Sequence, residues 1–372
     1  MRRAPVVPER ILVFSASFGG GHRPLSDAVA EYCRARLGET ADVRVVDFFE
    51  EFMPAVNVLA KFGYQQSAEF LPALHGDFAA LNQRASDNPV VQALVSGGLA
   101  RAIEYVREFA PRAVISTFPV AGGVVAELRG EERFISATLI TDYDTRGAWV
   151  HPATDLHFVA CKEARDSLVL SGVAYDRIVV SGVPVSERFA RRVPRAEART
   201  QLGLADRFTA LLTASAGQSF DVADVASRLA ASGIQVAIVA GRNERLRKRL
   251  EALEQKSSLV RVYGFIDTMP EMMSAADVFV GRAGGLVAAE ALAAALPLVI
   301  CPPVPGHEVH NVDFLLNSGA CLLARDDRDV VEKVRFLSTH PERLGQMAAN
   351  AGTLGRPDAV QTVCERVLAG VH

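Results

Sequence analysis

The chain has 372 residues, which at the ~150 residues of a typical domain makes about two and a half domains. Its 40 Lys and Arg against 43 Asp and Glu give a net charge of −3, without the strongly basic domain that nucleic-acid binding requires. Hydrophobic residues at 49% and charged ones at 22% are a globular composition and exclude wholesale disorder.

Met1-Arg2-Arg3 has the charge of a secretory n-region, but the apolar stretch that follows, Ile11 to Ala16, is too short for a signal core. Short apolar runs then alternate with helical periodicity along nearly the whole chain. In the first half, Ile11 to Phe14, Val43 to Val46, Val114-Ile115 and Ala137 to Ile140 read as strands. In the second half the strands are Ala210 to Thr213, Val236 to Val239, Val278 to Val280 and Pro297 to Ile300. Continuous rather than alternating apolar runs suit strands covered on both faces, hence parallel sheets. Helices fall between them, for example Leu25 to Leu37 and Leu286 to Ala295, so the βαβ pattern repeated in two halves predicts two doubly wound α/β domains.

The longest apolar run, Leu286 to Pro305, is broken by Glu290, Pro297, Pro302, Pro303 and Pro305, so it cannot cross a bilayer as one helix. The expectation is a soluble chain, or one that rests on a membrane. Its five cysteines (Cys33, Cys161, Cys301, Cys321, Cys364) are far apart and form no CxxC pair, which argues for a reducing cytoplasm. A domain boundary is expected at Pro184 to Arg199, which holds two prolines, five arginines and no strand signal. A final helix over about Asp358 to Leu368 can pack on either domain.

Two glycine turns carry the chemistry. The first strand ends in Ser15-Ala16-Ser17-Phe18-Gly19-Gly20-Gly21-His22, ahead of a helix with Pro24 in its first turn. Such a turn presents bare backbone N–H groups to a ligand. It is not a dinucleotide fingerprint, because the third glycine position falls on Pro24. At the positive end of the helix dipole His22 should stay neutral near pH 7, which leaves it either a general base or a helix cap. The second turn, Val280-Gly281-Arg282-Ala283-Gly284-Gly285, opens another helix. Gly284 and Gly285 can admit a diphosphate, Arg282 adds positive charge, and Glu290 can accept both hydroxyls of a ribose; the competing reading is an ordinary tight turn.

Several other groups are weighed against structural roles. His307-Glu308 lacks the spacing of a zinc-protease helix, and no metal site follows. Asp142-Tyr143-Asp144 has the spacing of a metal-binding DxD motif but lies in the first domain, where no nucleotide is expected. Trp149, the only tryptophan, is either a core plug or a platform for sugar or lipid. The apolar residues of segment 53–74 (Phe62, Tyr64, Phe70, Leu71, Leu74) suit a bilayer surface and domain packing equally. The cluster Arg242, Arg245, Arg247, Lys248 and Arg249 is the pattern of a solvated helix face.

Seven motifs in series resemble the GT-B glycosyltransferases that include the diacylglycerol glycosyltransferases and monogalactosyldiacylglycerol synthases, related to glycosyltransferase family 28. They are SASFGGGH (15–22), STFP (116–119), TDYDTRGAWVHP (141–152), SGVPV (181–185), GRNERL (241–246), YGFIDTMPEMMSAADVFVGRAGG (263–285) and PGHEVHN (305–311). The resemblance implies two Rossmann-like domains facing a cleft. It implies an inverting transfer of a hexose from a UDP-sugar to a lipid hydroxyl such as that of diacylglycerol, with no cofactor or bound metal. Residues 1–185 would bind the acceptor, with segment 53–74 as candidate membrane contact. Residues 186–200 would be a linker, 201–355 the UDP-sugar domain and 356–372 a closing helix.

The resemblance also implies roles for particular residues. His22 would be the base, and Glu308 would act with it at the donor sugar. Gly217, Gln218, Arg242, Asn243, Gly264, Phe265, Ile266, Arg282, Gly284, Gly285, Glu290, Gly306, His307 and Asn311 would hold the nucleotide sugar, with the backbone of 264–266 reading the base. Gly20, Gly21, Pro119, Asp142, Trp149 and His151 would shape the acceptor site. Three departures stand out: Val287 and Ala289 replace the usual Thr and Ser, His307 and Val309 replace Gln and Glu, and the first glycine loop is reduced to Ala214-Ser215-Ala216-Gly217-Gln218-Ser219. The expected setting is cytoplasmic, peripheral on the inner membrane face, with no nucleic-acid partner. The rival readings are a UDP-N-acetylglucosamine 2-epimerase and an inactive nucleotide-sugar sensor.

Overall fold

A computed structural model describes residues 9–16, 21–39, 41–55, 89–128, 133–145, 149–214, 220–303 and 307–370. The chain divides into two units, Met1–Glu187 with Asp358–His372, and Arg188–Pro357. Most of segment 53–74, along with Gly20, Gly217, Gln218 and Gly306, lies outside the described residues.

The first unit runs β1 (Arg10–Ser15), α1 (His22–Leu37), β2 (Asp42–Asp47), α2 (Phe48–Phe52), α3 (Pro89–Phe109), β3 (Ala113–Ser116), α4 (Pro119–Leu128), β4 (Ile135–Leu139), β5 (Leu156–Val159), α5 (Lys162–Leu170) and β6 (Ile178–Val180). The strands form one parallel sheet in the order β2-β1-β3-β4-β5-β6. β1 is central and covered on both faces, which is why Ile11, Leu12, Val13 and Phe14 read as an unbroken apolar run. β2 lies at the edge and exposes Arg44. Asp47 ends β2 and caps the short helix α2, its carboxylate accepting from the backbone N–H groups of Phe49 and Glu50. That cap turns Phe48, Phe49 and Phe52 into the core beside Phe14 and Phe118.

The second unit runs α6 (Arg195–Gln201), β7 (Thr209–Thr213), α7 (Val222–Ala231), β8 (Gln235–Val239), α8 (Glu244–Glu254), β9 (Val260–Tyr263), α9 (Met269–Ala275), β10 (Val278–Gly281), α10 (Gly285–Ala293), β11 (Leu298–Ile300), α11 (His307–Asn317), β12 (Cys321–Leu323), α12 (Asp327–Thr339) and α13 (Pro341–Leu354). Its parallel sheet has the order β12-β11-β10-β7-β8-β9, the doubly wound arrangement with a reversal between β7 and β10. The closing helix α14 (Ala359–Ala369) belongs to the first unit, where it packs on α1.

The stretch expected as a linker, 186–200, is built into the second unit by its arginines. Arg188 donates to the Asp267 carbonyl at 2.7 Å and to Glu271 at 2.5 Å, and Arg192 donates to the Ala293 carbonyl at 2.7 Å. Arg195 and Arg199 both reach the buried carboxylate of Asp277, at 2.8 and 2.7 Å. The absence of a strand signal reflects a short helix, α6, rather than free chain. Among the described residues no helix is long and apolar enough to cross a membrane.

Candidate active site

In open α/β sheets ligands gather beyond the carboxyl ends of the strands where the strand order reverses. In the second unit that point lies between β7 and β10, and the sequence places Gly284-Gly285 there. β10 ends at Gly281, where an added Cβ would sit 2.8 Å from the Phe279 ring and 3.0 Å from the Thr213 hydroxyl. Only glycine lets the strand end against its neighbour. The loop that follows is fixed from α11. Arg282 pairs with Glu308 through two bonds, Nη2 to Oε1 at 2.6 Å and Nε to Oε2 at 3.2 Å. Asn311, fully buried, donates from its amide to the Ala283 carbonyl at 3.0 Å. Glu308 and Asn311, expected to meet the donor sugar, clamp the glycine turn in this structure, and Arg282 is neutralised by Glu308 instead of standing as a lone cation.

α10 then opens with Gly284 as N-cap in extended conformation (φ −64°, ψ 142°), with no side chain bonded across the cap. The first N–H groups of the helix have no intrahelical partner by geometry, and their partial positive charge favours an anion. Val287 and Ala289, noted as departures in the sequence, supply no hydroxyl to this end of the helix. Glu290 lies further along α10. Its side chain forms no hydrogen bond or ion pair among the described residues, and burial pushes its carboxyl up to about 8.

The other donor-side residues form a second group. Between β9 and α9, Phe265 is 65% exposed and the Arg242 guanidinium lies 4.3 Å from its ring centroid. Gly264 lies beside them, with the Arg247 guanidinium 3.5 Å from the position its Cβ would take. Ile266 is half-buried in the same loop. Asn243 has a structural role, since its side chain caps α8 by accepting from the Leu246 N–H at 3.0 Å. Sequence reasoning saw Arg188 only as one of several boundary arginines. It anchors the far end of the 264–268 loop, a role legible only from its contacts with Asp267 and Glu271.

In the first unit the reversal lies between β1 and β3. His22 follows β1, Pro119 follows β3 and Asp142 follows β4, so three of the residues assigned to acceptor chemistry stand at one end of one sheet. The cap of α1 is Gly21, with no side-chain cap bond, so His22 is the first helical residue and not the cap. Its ring is 8% exposed and meets Phe118 edge-on, with centroids 5.3 Å apart. Phe118 in turn contacts Phe49, and Phe49 contacts Phe48, so an aromatic train from the core fixes the imidazole.

Trp149 is 7% exposed, closer to the core plug than to an open platform. Two residues on, His151 donates from Nε2 to the Pro119 carbonyl at 3.0 Å and so ties the loop to the start of α4. Gly122 leaves the room for that ring, since a Cβ there would sit 3.1 Å from His151 Cδ2. Asp144, the second acid of the DxD spacing, accepts from the Thr145 N–H at 2.9 Å, while Asp142 is half-buried. His157, on β5, is wholly buried, and burial followed by the neighbouring His151 pushes its imidazole down to about 4.

Two doubly wound parallel sheets, each with chemistry-bearing turns at its reversal, define the architecture of the GT-B glycosyltransferases. Residues 22–185 match the family model for monogalactosyldiacylglycerol (MGDG) synthase, and residues 217–363 match the glycosyltransferase family 28 C-terminal domain. Both matches are to glycosyltransferase models, one in each half of the chain, and the chain is a hexosyltransferase. Among curated relatives it is 26% identical over 369 residues to a processive diacylglycerol beta-glucosyltransferase of Bacillus cytotoxicus and 27% identical over 370 residues to that of Bacillus mycoides. In both cases 98% of this chain and 94% of the relative are covered. Among solved structures its fold is similar to MurG of Acinetobacter baumannii (TM-score 0.60, 16% identity, 97% of this chain and 100% of the other). It is also similar to UDP-GlcNAc 2-epimerase of Neisseria meningitidis (TM-score 0.63, 14% identity, the same coverage).

Proposed function

We propose that the chain transfers a hexose from a UDP-sugar to a hydroxyl of diacylglycerol, with inversion, at the cytoplasmic face of a membrane. In this reading the second unit binds the donor: the N-terminus of α10 takes the diphosphate, Glu290 takes the ribose hydroxyls and the 264–266 backbone takes the base. The first unit presents the lipid hydroxyl to His22. His22 removes the proton as the hydroxyl oxygen bonds the anomeric carbon, the bond from that carbon to the diphosphate oxygen breaks, and UDP leaves. The helix end meets the charge that develops on the leaving group, and no metal is assigned to that role.

One observation carries this reading: a glycine-opened helix at the sheet reversal, with the unpaired carboxyl of Glu290 on the same helix. Phosphate next to a helix N-terminus and a carboxyl group for the ribose hydroxyls on the same helix are a compatible pair. The name shared by the curated relatives makes glucose the first hexose to test and diacylglycerol the first acceptor. The epimerase reading has support only from fold similarity, which does not distinguish the two chemistries.

The test is incubation of the full chain with labelled UDP-glucose, UDP-galactose or UDP-N-acetylglucosamine, with and without diacylglycerol micelles. Label entering an organic-soluble product only when lipid is present is the expected result. Epimerised nucleotide without lipid, or UDP-sugar binding with no turnover, would overturn the reading. In the same assay His22→Ala should lose turnover by orders of magnitude while UDP affinity barely changes.

A further inference from the structure

Away from the site, two thiols from opposite ends of the chain meet inside the first unit. At the rim of the contact between α1 and α14, the Tyr32 hydroxyl donates to Glu365 at 3.3 Å. Their sequence neighbours, Cys33 and Cys364, lie inward of that pair and are 1% and 0% exposed. The Cys364 thiol donates to the Val29 carbonyl at 3.7 Å. Cys33 stands four residues after Val29, and helical side chains lean toward the N-terminus, so its sulfur covers the same turn. Both sulfurs thus face the Val29 turn, close enough for each thiol to act on the other. That contact pulls Cys33 below the ordinary thiol range and lifts Cys364 well above it.

The other three cysteines differ. Burial pushes Cys161, Cys301 and Cys321 each up to about 12, which withholds the reactive thiolate. Of the five, Cys33 alone has its thiol lowered and a second cysteine beside it.

We propose that Cys33 and Cys364 are a modification site, closed to a disulfide by hydrogen peroxide, that staples the closing helix to α1. The Cys33 thiolate attacks one peroxide oxygen, the O–O bond breaks, and sulfenic acid and hydroxide form. The Cys364 sulfur then attacks the Cys33 sulfur and gives up its proton, and water leaves. Two thiols and one peroxide thus yield one disulfide and two waters. The small oxidant suits a buried pair, reached when the helix ends open locally. The staple matters because α14 is where the chain, having built the whole second unit, returns to the unit that carries His22.

The full chain treated with hydrogen peroxide, quenched, and mapped by mass spectrometry tests this. The expected result is a loss of two hydrogens, one cross-linked peptide joining Cys33 to Cys364, and three cysteines that react with alkylating reagent only after unfolding. Thermal unfolding should rise by roughly 5 °C on oxidation and return on reduction, and Cys364→Ser should show neither effect. Sulfinic acid on Cys33 without a cross-link, five alkylatable thiols after treatment, or a cross-link through any other cysteine would overturn the proposal. The wild-type peptide map decides it whether or not the variant folds.

Discussion

At the scale of single residues, the site is defined by what burial does to ionisable groups. Glu290 has its carboxyl raised from 4.5 to about 8, and His157 has its imidazole lowered from 6.5 to about 4. The signs are opposite. An acid whose folded value is raised contributes stability below its unfolded value and loses it as pH rises, here between 4.5 and about 8. A base whose folded value is lowered contributes stability above 6.5 and loses it as pH falls toward about 4. Thermal unfolding of the ligand-free chain should therefore change little between pH 4.5 and 6.5, where the two oppose each other, and decline above and below that window. Glu290→Gln should flatten the alkaline arm, and His157→Gln should flatten the acid arm. An alkaline arm unchanged in Glu290→Gln would show that the carboxyl is not held in its buried, unpaired state. Neither shift was legible in the sequence, where Glu290 was a candidate by spacing alone and His157 was merely part of an unmarked strand.

At the scale of elements, the longer apolar runs are legible as strands, and the short or interrupted ones are less so. β1, β3, β7 and β8 are central, continuous apolar runs, and each was readable as such. β5, β6, β9 and β12 are not among the strands read from sequence: His157 interrupts β5, Arg261 interrupts β9, and β6 and β12 have three residues each. The same limit applies to the turns. Gly284-Gly285 was visible as a motif, but the clamp of Glu308 on Arg282 and of Asn311 on Ala283 joins positions 26 and 28 residues apart. In the motif at 305–311, the side chains of Glu308 and Asn311 fasten the glycine turn, a role its resemblance does not imply. In the first unit, Gly122 exists to admit His151 beside Thr138, whose hydroxyl is 3.3 Å from the missing Cβ. Gly122→Ala should push the imidazole off the Pro119 carbonyl and raise the KM for lipid, with UDP affinity unchanged. Equal loss for both substrates would mean that α4 is disturbed as a whole.

At the scale of the molecule, the βαβ pattern repeated in two halves foretells two α/β units, and the order of seven motifs foretells the glycosyltransferase matches of both halves. The stretch 184–199 is marked in the sequence only by its arginines and its lack of a strand run, and what those arginines do is hidden there. The arginines fasten residues 188–199 to the second unit through Asp277, Asp267, Glu271 and Ala293, contacts that a composition cannot reveal. The return of α14 to the first unit was equally open from sequence, because its apolar face fits any hydrophobic neighbour. The account rests on a single displacement, with the lipid oxygen replacing UDP on the face of the sugar opposite to the one UDP leaves. The most direct test is proton NMR of the glycolipid made by the full chain from α-linked UDP-glucose and diacylglycerol. The account predicts one β-linked glucosyl product, marked by the large axial coupling of its anomeric proton. An α-linked product, or glucose that never leaves the aqueous phase, would contradict it.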